Sequence, residues 1–122
     1  MVRRIEGMPP GTIGLEASGE LTKEDYTEVM EPALREAVER GEIRMLFRLT
    51  DFEGLGHGAW YEDLKTGLGL GYGHHSAWRR SAIVTDVDWV AKAYRFFTWL
   101  TPGEVKIFDL DQTEEAKAWV AG

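Results

Sequence analysis

The sequence predicts an α/β fold: a five-stranded, mostly parallel mixed sheet with four helices, in the order β-β-α-β-α-β-α-β-α. Three observations predict it. Short apolar runs alternate along the chain with longer stretches of helical spacing. Glycine and proline turn signals punctuate these segments at short intervals. Strands alternating with helices pair in parallel, because each helix carries the chain back across the sheet, and strand twist makes those crossovers right-handed. No linker, repeat or low-complexity tail divides the sequence, so one domain over residues 1–122 with one hydrophobic core is expected.

Val2 to Met8 reads as a short edge strand, and Pro9-Pro10-Gly11 as the turn after it. From Thr12 to Glu20 the residues alternate. Ile13, Leu15 and Ala17 point one way, and Gly14, Glu16 and Ser18 the other. That is a half-buried strand forming a hairpin with the first, which runs antiparallel at the sheet edge. Thr22 is a good helix N-cap, with Asp25 three residues on in the capping-box place. Tyr26, Val29, Met30, Ala33, Ala37 and Val38 recur at helical spacing, with glutamates and Arg35 on the opposite faces. Pro32 lies inside this helix and is expected to kink it. Gly41 ends it.

Ile43 to Leu49 is apolar enough for an interior strand, and Thr50 to Gly58 reads as a loop. A second helix is expected from Ala59 to about Tyr72, on the spacing of Trp60, Leu64 and Leu68. Its glycine-rich end, 67–73, is a poor helix former, at ~1 kcal/mol per glycine relative to alanine. Arg79 to Thr85 is a further buried strand, and Asp86 caps a third helix, Val87 to Leu100. Thr101-Pro102-Gly103 stops that helix. Glu104 to Leu110 is the fifth strand, and Asp111 or Thr113 caps a last helix carrying Ala116, Trp119 and Val120.

Composition narrows the function. With 43% hydrophobic and 29% charged residues, the chain is globular in type rather than disordered. No apolar run approaches the ~20 residues that cross a bilayer, so stable membrane insertion is not expected. The opening MVRRIEGMPPG has a basic pair without an apolar stretch behind it, unlike a secretory leader. There is no cysteine, which excludes disulfides, thiol catalysis and thiolate metal sites and fits a reducing cytoplasm. A net charge of −7 repels phosphate backbones and anionic lipid, so nucleic acid is not an expected partner. The one candidate basic cluster, Arg79 and Arg80 with His74 and His75, reads as the solvated start of a strand.

Four stretches carry a family resemblance: GELTKEDYTEVMEPAL at 19–34, IRMLFRLTDFEG at 43–54, AWYEDLK at 59–65, and SAIVTDVDWVAKAYRFFTWLTPGEVKIFDLDQTEEAKAWV at 81–120. They resemble the SpoIIAA-like family of STAS-like proteins, also called STAS/SEC14-domain proteins. The resemblance covers nearly the whole chain and implies a STAS fold rather than an activity. Regulatory STAS proteins that antagonise anti-sigma factors carry a phosphorylatable serine after the third strand. Here that stretch is TDFEGLGHGAW at 50–60, with no serine. Its one hydroxyl, Thr50, stands beside Asp51 and Glu53, where added phosphate would face like charge. The phospho-switch is therefore not carried over. Loop 50–58 stays a candidate surface for a protein partner, since a glycine-rich loop opening a helix exposes backbone N–H groups.

No residue set reads as catalytic, and no cofactor is expected. Adjacent His74 and His75 would point ~100° apart on a helix, so with His57 they do not read as a metal site. The glycine run lacks Gly-Lys-Ser/Thr and follows a helix, so it is not a nucleotide loop. Asp51/Glu53 and Glu62/Asp63 read as solvated carboxylates, and Ser76 lacks the frame of a nucleophile elbow.

The third helix is different. Trp89, Val90, Ala93, Tyr94, Phe96, Phe97, Trp99 and Leu100 leave only a narrow polar stripe. Two expectations follow. One is an interaction module that forms a homodimer through Trp89, Phe96, Phe97, Trp99 and Leu100. The other is a binding protein for a small apolar, lipid-like molecule, held in a groove lined by Trp60, Leu64, Leu68, Tyr72 and Phe96. The family's SEC14-type label adds to the second.

Overall fold

A computed structural model of the chain describes residues 1–55, 78–86 and 103–122. Its centre is a five-stranded mixed sheet in the order β1-β2-β3-β4-β5. The strands are Val2–Arg4, Ile13–Leu21, Ile43–Leu55, Trp78–Val84 and Glu104–Phe108. β1 lies at the edge and runs antiparallel to β2, with Val2 opposite Ala17 and Arg4 opposite Leu15. The other pairings are parallel.

The hairpin turn forms where expected, with the Thr12 N–H donating to Pro9 O at 3.1 Å. β1 stops at Arg4 rather than Met8. Residues 5–8 cross over the sheet, with Ile5 and Met8 packed on one of its faces. Gly14 makes room for them: a Cβ there would stand 2.7 Å from Met8 Sδ and 3.0 Å from Ile5 Cβ.

The largest departure concerns residues 50–55, which belong to β3 and not to a loop. β2 runs on to Leu21, and its backbone groups need partners. Gly19, Glu20 and Leu21 find them in Phe52, Gly54 and Leu55. The register slips on both sides of Gly19, a bulge this residue accommodates with φ +65°.

Residues 23–39 form one helix of three parts: α1 (Lys23–Asp25), a π-turn (Tyr26–Met30) and α2 (Glu31–Glu39). The capping box at Thr22 forms as expected, with the Asp25 N–H donating to Thr22 Oγ1 at 3.2 Å and the Thr22 N–H to Asp25 Oδ2 at 3.1 Å. The proline takes effect as a widened turn. Pro32 has no N–H for the carbonyl one turn back, and the preceding Glu31 N–H reaches Tyr26 O, five residues behind it. Gly41 follows the helix end, its N–H on Val38 O at 3.0 Å.

The sheet is covered on both faces. Ile13, Leu15, Ala17, Met45, Phe47, Leu49 and Ile83 form one cluster with Tyr26, Met30, Ala33, Leu34 and Ala37 of the helix. Leu46, Ala82, Val84 and Phe108 form another with Ala116 and Val120 of α3 (Thr113–Ala121). Period-two alternation along β3 and β4 thus feeds two cores, one per face.

β5 ends at Phe108, and a 3₁₀ turn, Leu110–Gln112, leads into α3. The cap of this region is Asp109, in a capping box with Gln112, and neither Asp111 nor Thr113. The extra 3₁₀ turn moves the helical start back towards the strand. Thr113 turns its hydroxyl to Leu110 O at 2.8 Å instead. The second and third expected helices, 59–72 and 87–100, lie outside the described residues.

Candidate functional site

The residues that sequence reasoning singled out fall almost wholly outside the described residues. This holds for Trp60, Leu64, Leu68 and Tyr72, for Trp89, Phe96, Phe97, Trp99 and Leu100, and for His57, His74 and His75. Of the 50–58 surface, residues 50–55 are strand and 56–58 lie outside. The described residues show the sheet that frames these segments: the ends of β3 and β4, and the start of β5.

One group of polar atoms on and just after β4 was missed. Alternation puts Ser81 on the face of Ile83, which carries the first core cluster, and Thr85 and Asp86 follow the strand's last residue, Val84. In register, Ser81 stands between Met45 of β3 and Val105 of β5. Ser81 and Thr85 are both fully buried. Ser81 Oγ, Thr85 Oγ1 and Asp86 Oδ1 are buried atoms with no hydrogen-bond partner among the described residues. The Thr85 backbone is satisfied, its N–H on Phe108 O at 3.0 Å. A buried polar atom left alone costs about 1–3 kcal/mol, so these three need a reason. The sequence held a signal: hydroxyl residues at inward positions of an otherwise apolar strand.

The opposite face carries charge, and its arginines and Glu16 join elements of the fold to one another. Arg3, Glu16 and Arg48 lie directly across three strands from one another. Glu16 accepts from Arg3 Nη2 at 2.7 Å and from Arg48 Nη1 at 2.6 Å. Arg48 Nε also reaches Thr113 Oγ1 at 3.3 Å, tying β3 to α3. Hydrogen bonds from Arg3, then from Arg48, hold the Glu16 carboxyl below its ordinary value, against burial, which pushes it up.

Two further arginines hold the end of α3. Arg44 Nη1 donates to Val120 O at 3.0 Å, and Arg80 Nη1 to Trp119 O at 2.7 Å. The Arg80 guanidinium also lies 4.8 Å from the centre of the Trp119 ring. These cations sit where a helix C-terminus presents carbonyls and negative partial charge. Arg79 and Arg80, the described half of the expected basic cluster, face Glu42 and Glu104, each at 3.5 Å. Among the described residues no three His, Asp or Glu side chains gather as metal ligands, and no helix is long and apolar enough to cross a membrane.

Comparison with known proteins accords with this architecture. A family model described as SpoIIAA-like matches residues 12–121. Among solved structures, an uncharacterized protein of the DUF3478 family with a SpoIIAA-like fold, from Shewanella loihica PV-4, is similar at 31% sequence identity. The match has a TM-score of 0.72 and covers 98% of this chain and 93% of that one. No curated protein matches the chain.

Proposed function

The chain belongs to the SpoIIAA-like family, and on that premise we propose that it is a non-enzymatic STAS-like interaction module that works as a homodimer in the cytoplasm. The observation that carries this reading is the segment 87–100, where Trp89, Tyr94, Phe96, Phe97 and Trp99 crowd into four turns' worth of sequence. One sheet-facing stripe of a helix takes about 100° of its circumference, and this set exceeds it. A second copy of the chain is the simplest cover for the remainder. The described part of the molecule supports a scaffold. Glu16, Arg44, Arg48 and Arg80 are committed to joining strands and clamping the last helix.

The test is the mass in solution at micromolar concentration. The wild type is expected at twice the 13.8 kDa of one chain. Trp99→Glu and Phe96→Glu are expected at the monomer mass with unchanged circular dichroism. A wild type that is monomeric throughout removes the dimer.

The buried oxygens of Ser81, Thr85 and Asp86, on and just after β4 and without a partner among the described residues, support a second reading, a binding protein for a small apolar molecule, with Trp60, Leu64, Leu68, Tyr72 and Phe96 as the candidate lining. Native mass spectrometry of protein purified without detergent tests it, through a co-purified mass that organic extraction releases. A dimer with no such mass supports the first reading alone.

A further inference from the structure

β5 borders the sheet and, among the described residues, pairs with β4 alone. The Thr85 N–H donates to Phe108 O. In a strand the N–H and C=O of one residue share a side, and that side alternates from residue to residue. Glu104, Lys106 and Phe108 therefore turn their backbone groups to β4, and Val105 and Ile107 turn theirs outward. A border of this kind is a template for a further strand. Its side chains differ by face. Val105 and Ile107 are half-buried against the first core cluster, while Glu104 and Lys106 are exposed on the face of Phe108. Glu104 has a long contact with Arg80 Nε, at 3.5 Å. Lys106 Nζ lies 5.1 Å from the centre of the Phe108 ring and 5.9 Å from that of Trp119. Among the described residues no carboxylate forms an ion pair with Lys106.

We propose that a second copy of this chain adds its β5 antiparallel to this one, with Val105 opposite Val105 of the partner subunit. The inference rests on the homodimer reading above and names where, and in what register, the two copies meet. A two-fold axis perpendicular to the sheet sets residues of one face opposite each other, so the centre falls on Val105, Lys106 or Ile107. Charge decides among the three. A centre at Lys106 sets that ammonium against its own copy, and like charges directly opposite are unfavourable. A centre at Ile107 sets Lys106 against Phe108 of the partner subunit and pairs no charge. A centre at Val105 sets Glu104 opposite Lys106 of the partner subunit, and symmetry repeats the pair. The two valines then exchange both backbone hydrogen bonds. The charged pairs beside them are of the closer kind, with Cα atoms about 4.5 Å apart. A border of five residues is small beside the ~800 Å² per partner of a stable interface. The segment 87–100, which the homodimer reading uses and which ends shortly before β5 in the sequence, supplies the remainder.

The experiment measures the dimer dissociation constant by analytical ultracentrifugation for wild type, Glu104→Lys, Lys106→Glu and the double variant. Each single change makes both pairs like-charged and is expected to weaken the dimer at least about tenfold. The double variant exchanges the signs and is expected to return to within about threefold of wild type. Val105→Pro removes an outward N–H that β4 does not use, so it is expected to weaken the dimer at least about tenfold with unchanged circular dichroism. Should Glu104→Lys fail to fold beside Arg80, Lys106→Glu and Val105→Pro decide. A dimer that these variants leave as tight as wild type overturns the β5 contact and leaves the homodimer standing. Single variants that the double change does not rescue overturn the register. A monomeric wild type overturns both.

Discussion

Replacing Glu16 by glutamine tests whether the three-strand charge ladder holds the sheet to its last helix. The substitution keeps the size and hydrogen-bonding shape of the side chain and removes its charge. Its two contacts are unequal. The Arg3 side chain is 70% exposed, so that pair contributes at most ~1 kcal/mol. The Arg48 side chain is 29% exposed and Glu16 only 17%. A hydrogen bond between charged groups in that setting contributes about 1.5–3 kcal/mol. The loss expected for Glu16→Gln at neutral pH is therefore about 2–3 kcal/mol. For a domain of this length that lowers the thermal midpoint by about 10 °C.

The pH dependence follows from the lowered Glu16 pKa. A carboxyl whose folded pKa lies below its ordinary 4.5 adds stability above that value and loses it as pH falls through the folded pKa. The difference between wild type and variant should thus be full at neutral pH and shrink as pH falls below about 4.5. Urea unfolding followed by circular dichroism at both pH values measures it. The cycle with Arg48→Met isolates the pair from Arg3. A variant within 0.5 kcal/mol of wild type at neutral pH, or a deficit that persists unchanged in acid, would refute the reasoning, 0.5 kcal/mol being about the reach of an ordinary surface change.

Three further outcomes are expected. Ser81→Ala removes a buried hydroxyl that has no partner among the described residues, so it should stabilise the protein by about 1 kcal/mol in urea unfolding; a clear loss would show that the hydroxyl is bonded. Gly14→Ala drives a methyl against Met8 and Ile5 and should cost about 1–3 kcal/mol, with Met8→Ala restoring much of it in a thermal melt; a neutral Gly14→Ala would mean that residues 5–8 do not rest on the sheet. Thr22→Ala removes the cap oxygen that accepts from Asp25 N–H and should cost about 1 kcal/mol, whereas Thr22→Ser should recover it.

Much of the fold was legible because it follows from local periods and local hydrogen bonds. Ile13, Leu15 and Ala17 showed the inward face of β2, and all three are core residues. Thr22 and Asp25 announced the helix start through groups three residues apart, and Pro32 announced a disturbed turn. Where strand ends depended on other segments, local reading failed. β1 is shorter because residues 5–8 lie over Gly14. β3 is longer because the end of β2 needs a neighbour. The 3₁₀ turn that leads into the last helix is capped by Asp109, and neither Asp111 nor Thr113 caps the helix itself. The aromatic candidates between 60 and 100 stand on composition and helical spacing alone.

The amino-acid sequence by itself determined the family, the number of strands and their succession along the chain, and the first helix with its cap, because periodicity, turn residues and caps act over a few neighbouring positions; the order of the strands within the sheet came from the tertiary structure. Only the tertiary structure decided what Glu16, Arg44, Arg48 and Arg80 do. Nothing in a strand's own pattern says that Arg48 lies opposite Glu16, which is 32 positions away, or that Arg44 reaches a carbonyl 76 positions away. The same holds for Ser81, Thr85 and Asp86, whose side chains look ordinary in the sequence. Burial, a property of all the chain packed around them, is what turns their oxygens into groups that need a partner.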